Sequence, residues 1–230
     1  YKDLAFMGFV EVIKNLRTIF KNLDFCKKDI TAFKPDVLIL IDYPGFNLRI
    51  AEWAKNEGIK VVYYISPQVW AWKESRVKNI KRDVDKMLVI LPFEKAFYKK
   101  WNYEVEYVGH PLVEVIDAFQ QNNVNKSSSK TIALLPGSRQ QEILKKLPVM
   151  LEVSKNFPEY SFVVAKAPGI ENSFYDDLLA PYKNVSYVNN ETYRLLSGSA
   201  AALVTSGTAT LETALFNVPE VVCYKGNAIS

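Results

Sequence analysis

The sequence is poor in the residues that build metal centres and disulfide frameworks. Among its 230 residues there are two cysteines, Cys26 and Cys223, and one histidine, His110. The cysteines lie far apart and form no Cys-x-x-Cys pair, which argues against a zinc site or a disulfide scaffold and fits a reducing compartment. With no cluster of histidines either, we expect neither a metal nor another cofactor.

Long apolar runs are also lacking. No run approaches the roughly 20 residues that cross a bilayer as a helix. Lys and Arg number 29 against 25 Asp and Glu, a formal net charge of +4, and they are scattered along the chain. This mild excess suits anionic ligands or an anionic membrane surface, and it argues against a nucleic-acid partner.

The sequence does contain a strand–turn–helix pattern typical of anion binding. Apolar residues 131–135 stop at Pro136-Gly137, and Ser138-Arg139 opens a run with helical spacing. Such a turn exposes backbone N–H groups, the helix dipole favours negative charge, and an arginine can donate two hydrogen bonds to phosphate oxygens. This stretch therefore indicates a phosphate site.

A similar pattern follows at residues 200–212, where Ser206, Gly207 and Thr208 lie between a strand and a helix. Neither stretch matches a Walker motif or a GxGxxG fingerprint, and each alone is also what an ordinary strand–helix connection looks like. Two such turns in one half of the chain favour the phosphate interpretation.

Strand and helix patterns alternate along most of the chain. This alternation predicts an α/β protein with parallel sheets and helices on both faces. We expect two domains, residues 1–110 and 111–230, with a polar loop at 120–130. In the second half, strands and helices are predicted in turn at 131–135, 139–155, 161–167, 173–180, 184–188, 191–198, 201–205, 208–217 and 220–224.

In the first half, the apolar run 36–41 is typical of a strand buried on both faces of a parallel sheet. Asp42 follows it directly, at the carboxyl end of the strand, where ligands collect in open α/β sheets. Asp42 is therefore either catalytic or a turn cap. Asn47 is the better cap for the helix predicted at 48–57, which favours the catalytic role.

Aromatic and apolar segments leave two further choices open. Trp70 and Trp72 follow the strand at 60–65, and their spacing beside Pro67 fits neither a helix nor a simple strand. They either line a pocket or close the end of the sheet. The helices predicted at 4–23 and 93–101 carry apolar faces flanked by lysine or arginine. Such helices either pack in the α/β layers or contact lipid.

Several motifs spread over nearly the whole chain resemble those of lipid-A-disaccharide synthases, a family of bacterial glycosyltransferases with the two-domain GT-B fold. They occur in the family's order. The motifs are Met7-Gly-Phe-Val-Glu-Val12, Ile41-Asp-Tyr-Pro-Gly-Phe-Asn47, Ser66-Pro-Gln-Val-Trp-Ala-Trp72, Leu91-Pro-Phe-Glu-Lys-Ala-Phe-Tyr98, Gly109-His110, Leu134-Leu-Pro-Gly-Ser-Arg-Gln-Gln-Glu142 and Ser206-Gly-Thr-Ala-Thr-Leu-Glu212.

The resemblance implies two Rossmann-like domains and one reaction. A UDP-2,3-diacylglucosamine donor would pass its sugar to 2,3-diacylglucosamine 1-phosphate, giving the β-1,6-linked lipid A disaccharide and UDP. Because both substrates carry acyl chains, it also implies a cytoplasmic protein in peripheral contact with the inner face of the bacterial inner membrane. An oligomer is possible.

The resemblance also assigns roles to residues that match the family motifs. Arg139, with Gly137 and Ser138 in the same turn, would neutralise the departing UDP diphosphate. The turn at 206–208 would donate hydrogen bonds to the same nucleotide. Glu212, one helical turn further on, would accept the ribose hydroxyls.

For the acceptor, Asp42 is the expected general base, because direct displacement with inversion requires removal of the hydroxyl proton. His110 is the alternative base, although a Gly-His-Pro sequence at a domain junction favours a hinge. Trp70 and Trp72 are expected to contact substrate.

Two other functions remain open at this stage. One is another UDP-sugar enzyme on the same scaffold, either an epimerase or the transferase that makes the peptidoglycan disaccharide. The other is a non-catalytic nucleotide-binding fragment. The family's N-terminal Gly-Glu-x-Ser-Gly-Asp segment does not occur, and no helix pattern follows the last strand. Both domains are therefore expected to be incomplete.

Overall fold

The computed structural model describes residues 16–123 and 130–224. Contacts divide the chain into two units, Tyr1–His110 and Pro111–Ser230. Most of the helix expected at 4–23 lies outside the described residues. From Leu16 the chain is helical as far as Phe33.

The first unit is a parallel sheet with helices between its strands. The sheet order is β1-β2-β3-β4, which follows the order of the sequence. A 3-10 turn spans Glu74–Arg76. The elements are α1 (Leu16–Phe33), β1 (Val37–Ile41), α2 (Pro44–Asn56), β2 (Lys60–Tyr64), α3 (Val69–Trp72), α4 (Val77–Asp83), β3 (Lys86–Val89), α5 (Glu94–Lys99) and β4 (Glu106–Tyr107).

Strand β1 differs from the expectation of burial on both faces. Leu40 is buried, but Val37, Ile39 and Ile41 are 42%, 58% and 56% exposed. Side chains alternate between the two faces of a strand. The described residues therefore cover one face of β1 and leave the other exposed. A continuous apolar run does not distinguish this arrangement from full burial.

The second unit has a parallel sheet of order β7-β6-β5-β8-β9. The chain moves from β5 outward to β7 on one side, then returns to β8 on the other side of β5. The elements are α6 (Pro111–Asn122), β5 (Thr131–Leu135), α7 (Gln140–Ser154), β6 (Ser161–Lys166), α8 (Asn172–Leu179), β7 (Val185–Asn189), α9 (Thr192–Ser197), β8 (Ala201–Thr205), α10 (Thr208–Leu215) and β9 (Glu220–Cys223).

Both faces of this second sheet are covered by apolar cores. Leu134 of β5 belongs to a core with residues of α7, β6 and α8. Its neighbours Ala133 and Leu135 belong to another core, with residues of α6, α9 and β8. This alternation is what a strand between two helical layers requires. The predicted α/β class with parallel sheets is confirmed.

Candidate functional site

The turn after β1 places Asp42 in an uncommon backbone conformation. Asp42 and Tyr43 have φ angles of 48° and 46°, in the left-handed region, and α2 begins directly afterwards at Pro44. The prediction that Asn47 caps a helix at 48–57 is therefore wrong, since Asn47 lies inside α2. Proline suits the first position of a helix because its φ is already helical and no N–H partner is needed there.

Asn47 instead holds the turn by its side chain. Its amide Nδ2 donates hydrogen bonds to the carbonyl oxygens of Ile41 (3.0 Å) and Asp42 (2.8 Å). The hydroxyl of Tyr63 donates to the same Asp42 oxygen at 2.6 Å. Burial, followed by the nearby Asp42 carboxylate, raises the pKa of Tyr63, so its hydroxyl keeps the proton that it donates. The main chain of Asp42 is thus fixed, while the residue as a whole is exposed.

Asp42 lines a cavity of about 360 Å³ at the carboxyl ends of β1, β2 and β3. Ile65, which follows β2, also lines it and has a φ of 65°. A β-branched residue in this region is strained, and such strain is concentrated at functional sites. The remaining lining residues are Pro44, Ser66, Pro67, Gln68, Val69, Trp72, Lys73, Arg76, Ile90, Leu91 and Glu94.

A buried polar group forms part of this cavity. Glu94 is 1% exposed and accepts a hydrogen bond from the Leu91 N–H at 2.9 Å. Burial raises the pKa of Glu94, and the hydrogen bond from Leu91 opposes that change. Beside it, the Ser66 and Tyr98 hydroxyls are 2.7 Å apart, and burial raises the pKa of Tyr98 to about 12. These contacts keep the ends of β2 and β3 in place.

Glu94→Gln should alter how stability depends on pH. Because folding raises the Glu94 pKa above its ordinary value of 4.5, its contribution is fully present below that value and is lost as the pH rises through the raised value. The urea midpoint of the wild type should therefore fall relative to that of the variant as the pH rises above about 4.5. Glu104→Gln, at an exposed position, is the control. A constant difference between wild type and Glu94→Gln would contradict the prediction.

The two tryptophans occupy different environments. They lie in the short helix α3, contrary to the expectation that their spacing excludes a helix. Trp70 packs against the core of the first unit, with its ring edge-to-face on Phe93 at 5.0 Å. Trp72 is 87% exposed and lines the cavity. Trp70 therefore has a packing position, and Trp72 is the one available to a ligand.

In the second unit, the turn after β5 brings Arg139 and Glu142 together. Gly137 has a φ of 119°, and a Cβ placed on it would lie 2.8 Å from the Glu142 Oε2. The Glu142 Oε1 accepts from the Arg139 guanidinium at 3.4 Å. Position 137 favours glycine because of its positive φ, and a side chain there would also displace the Glu142 carboxylate. The sequence analysis did not identify Glu142 as a site residue.

The turn after β8 lies beside the first one. Strands β5 and β8 are hydrogen-bonded neighbours, with Leu135 opposite Val204 near their carboxyl ends. Gly207 has a φ of 146° and precedes α10, and Ser206 through Thr208 are exposed. The connections from β5 and β8 leave in opposite directions, which makes this the topological switch point where α/β sheets bind ligands. The structure therefore brings both predicted phosphate turns together.

Glu212 is half-buried in α10, one turn beyond this edge. Its Oε1 accepts a hydrogen bond from the Tyr193 hydroxyl at 3.2 Å. Burial raises the pKa of Glu212, and the Tyr193 bond acts in the opposite direction. The Tyr193 ring packs against Phe119 and Phe216, with centroid distances of 5.6 and 5.3 Å. Tyr193 thus holds the Glu212 carboxylate from a rigid aromatic cluster.

His110 is the last residue of the first unit and is not among the residues that line the Asp42 cavity. The residue is half-buried, and burial lowers its pKa.

The expectation of a metal-free protein did not take account of one Asp-x-Asp pair, Asp83 and Asp85. Asp83 accepts from Arg82 at 2.6 Å, and Asp85 pairs with Lys55. The described residues contain no group of three or more histidine, cysteine or acidic side chains placed to hold a metal ion.

Comparison with known proteins identifies the family. The sequence model of the lipid-A-disaccharide synthetase family matches residues 1–230. The chain belongs to the lipid-A-disaccharide synthetase family. The resemblance inferred from the sequence motifs is therefore confirmed.

Named relatives agree with this family. The lipid-A-disaccharide synthase of Syntrophus aciditrophicus is 41% identical over 240 residues, covering 99% of this chain and 63% of that protein. The enzyme of Nitrosococcus oceani is 41% identical over 238 residues, covering 99% of this chain and 62% of that protein. The chain thus spans about three-fifths of the length of these relatives.

Solved structures share the fold at low identity. The UDP complex of S. aureus MnaA has a TM-score of 0.66 at 12% identity, covering 90% of this chain and 63% of that chain. A glycotransferase of kitacinnamycin has a TM-score of 0.62 at 14% identity, covering 96% of this chain and 65% of that chain. The Neisseria meningitidis UDP-GlcNAc 2-epimerase bound to UDP-GlcNAc has a TM-score of 0.59 at 16% identity, covering 95% and 66%. These likenesses confirm the GT-B type of fold.

In this member of the lipid-A-disaccharide synthetase family, the sequence motifs contain most of the residues that meet at the two sites. Tyr193 lies outside every motif and reaches Glu212 across 19 residues. Four lining residues of the Asp42 cavity also lie outside the motifs: Ile65, Lys73, Arg76 and Ile90. Within residues 16–123 and 130–224, every helix is too short or too polar to traverse a bilayer.

Proposed function

We propose that the protein is an inverting glycosyltransferase that joins UDP-2,3-diacylglucosamine to 2,3-diacylglucosamine 1-phosphate, giving the lipid A disaccharide and UDP. The match of the whole chain to the lipid-A-disaccharide synthetase family carries this proposal. Two features support it: the phosphate turns at the switch point of one sheet, and the exposed carboxylate beside a cavity in the other unit.

The second unit would bind the donor. Backbone N–H groups of the turns at 137–139 and 206–208 would donate to the diphosphate, and Arg139 would offset the charge that grows on UDP as it leaves. The Glu212 carboxylate would accept hydrogen bonds from the ribose hydroxyls. The 3.2 Å hydrogen bond from the Tyr193 hydroxyl would set the orientation of this carboxylate. No metal is needed for this charge balance if Arg139 supplies the positive charge.

The first unit would bind the acceptor. The Asp42 carboxylate would remove the proton from the attacking hydroxyl as the bond to the donor sugar forms. Trp72 offers an exposed aromatic face at the same cavity. Since both substrates carry acyl chains, the protein would work at the inner face of the bacterial inner membrane, held there by peripheral contact.

Tyr193→Phe should weaken UDP binding about 2- to 10-fold, which corresponds to the loss of one ordinary hydrogen bond. The loss of affinity should disappear with 2′,3′-dideoxy-UDP, because that ligand has no ribose hydroxyl that could donate a hydrogen bond to Glu212. Titration calorimetry with both ligands measures the difference. Tyr182→Phe is the matched control, since the Tyr182 hydroxyl also donates to a glutamate, Glu152, at 2.6 Å. An equal loss for both ligands would show that Tyr193 acts on the fold and not through Glu212.

The reaction itself is tested by UDP release. This chain is incubated with UDP-2,3-diacylglucosamine, with and without the monosaccharide 1-phosphate acceptor, and the lipid products are separated by mass. The Syntrophus aciditrophicus relative serves as the positive control. Acceptor-dependent UDP release with formation of the disaccharide is the expected result.

The other outcomes contradict the proposal in distinct ways. Conversion of the nucleotide sugar without acceptor would indicate an epimerase or a hydrolase. UDP binding without any turnover, under conditions where the relative is active, would indicate a nucleotide-binding module.

A further inference from the structure

We propose that Lys73 and Arg76 form the binding site for the phosphate monoester of the acceptor. This inference rests on the proposed function, because it names the group that the Asp42 cavity would recognise. Both side chains line that cavity, and both residues are exposed. They are the lysine and the arginine among its lining residues.

The two cations are available to an anion. No carboxylate within the described ranges pairs with Lys73 or Arg76, whereas Arg82, Lys55 and Arg139 each have an acidic partner. A lysine contributes a compact positive charge. An arginine contributes a planar guanidinium whose paired N–H donors, the planar fork, match two phosphate oxygens. The backbone supports their spacing, because the Arg76 N–H donates to the Lys73 carbonyl at 3.1 Å.

The acidic groups of the cavity restrict where an anion can bind. Asp42 and Glu94 are its carboxyl-bearing lining residues. Glu94 is 1% exposed and already accepts from the Leu91 N–H. Asp42 is exposed and would repel a phosphate placed against it. A phosphate in this cavity should therefore contact Lys73 and Arg76, leaving Asp42 to a neutral group.

A sugar 1-phosphate has the matching arrangement of groups. Its accepting hydroxyl and its phosphate are attached to different carbons of one ring. One ligand can thus present a neutral hydroxyl to Asp42 and an anion to Lys73 and Arg76. With the hydroxyl at Asp42 and the phosphate at Lys73 and Arg76, the cavity would bind acceptors that carry a phosphate more tightly than those that do not.

The test is a binding measurement that needs no turnover. Short-chain 2,3-diacylglucosamine 1-phosphate and the same compound without its phosphate are titrated into the wild-type chain and into Lys73→Gln/Arg76→Gln. Lys78→Gln is the control, because Lys78 is an exposed lysine of α4 that does not line the cavity. The wild type should prefer the phosphorylated compound about tenfold, a modest value because exposed charges are screened by solvent. The preference should decline as salt is added.

The double variant should lose the preference, while its affinity for the dephosphorylated compound and for UDP stays unchanged. Lys78→Gln should keep the preference. A wild type that binds both compounds equally, or a double variant that retains the tenfold difference, would overturn the proposal. If the chain shows this preference but catalyses no acceptor-dependent UDP release, the phosphate site stands and the proposed reaction fails.

Discussion

Asp42→Asn should reduce acceptor-dependent UDP release about 10²- to 10⁴-fold, the usual contribution of a general base, while UDP affinity stays near the wild-type value. Asparagine has nearly the same shape but cannot take up the proton. It is also among the residues that best tolerate the left-handed φ of 48° at this position. The bonds from Asn47 and Tyr63 reach the backbone oxygen of residue 42, so they survive the substitution. Steady-state kinetics and calorimetry with UDP measure the two quantities.

Asp36→Asn provides the matched control for this experiment. Asp36 directly precedes β1, at the opposite end of the strand from Asp42, and is also exposed. It should leave the rate unchanged. If Asp42→Asn keeps a near-normal rate, Asp42 is not the base. His110→Gln then tests the alternative base, and a large loss there would transfer the role to His110.

Arg139→Ala should weaken UDP binding by a factor of about 10 to 100 or more. Each charge-assisted hydrogen bond to the diphosphate contributes about 1.5–3 kcal/mol, and about 1.4 kcal/mol corresponds to a tenfold change in affinity. The turnover rate should fall as well, because negative charge on UDP increases as the bond to the sugar breaks. Arg139→Lys should recover part of the affinity, since it restores the charge without the planar fork.

Glu142 complicates the interpretation of Arg139→Ala, and a second variant resolves it. The Glu142 carboxylate lies against Gly137 and pairs with Arg139, so loss of the arginine also leaves a negative charge beside the turn. Arg139→Ala/Glu142→Gln removes that charge and isolates the lost contacts. Arg194→Ala is the control, because Arg194 also forms an i,i+3 ion pair in the same unit, with Glu191. Unchanged UDP affinity in both Arg139 variants would remove Arg139 from the nucleotide site.

The sequence predicted the second unit well because its signals are local. The predicted strands at 131–135 and 201–205 match β5 and β8 residue for residue, since each is a compact apolar run followed directly by a turn. Once those strands are adjacent, the two turns must meet at one edge of the sheet. Glycines at 137 and 207 mark the positions where the backbone has positive φ.

The first unit was harder to predict because its special features depend on distant contacts. The left-handed conformation of Asp42 and Tyr43 is supported by Asn47 and by Tyr63, which is 21 residues away. Residues other than glycine rarely adopt this conformation. The sequence analysis therefore placed the helix start after Asn47, although a proline at the first helical position, Pro44, is itself a local start signal.

Two other features also escaped the sequence analysis. The exposed face of β1 depends on which elements pack against that face of the sheet, and an apolar run does not reveal that. The contact between Tyr193 and Glu212 joins two helices on opposite sides of β8 in the sequence. Neither residue type nor spacing indicates such a pairing.

The hydrogen bonds from Asn47 and Tyr63 to the Asp42 carbonyl oxygen, here called the clamp, have a consequence for how the proposed activity could be lost. Structure at position 42 depends on a main-chain oxygen, whereas the proposed chemistry depends on the side chain. A single substitution at position 42 can yield an inactive protein that folds normally and accumulates to ordinary levels. Such a protein escapes the proteases that remove unfolded chains. Substitution of Asn47 or Tyr63 removes part of the clamp itself, so inactivity would then be accompanied by reduced abundance. The amount of protein in the cell would therefore distinguish the two kinds of inactive allele.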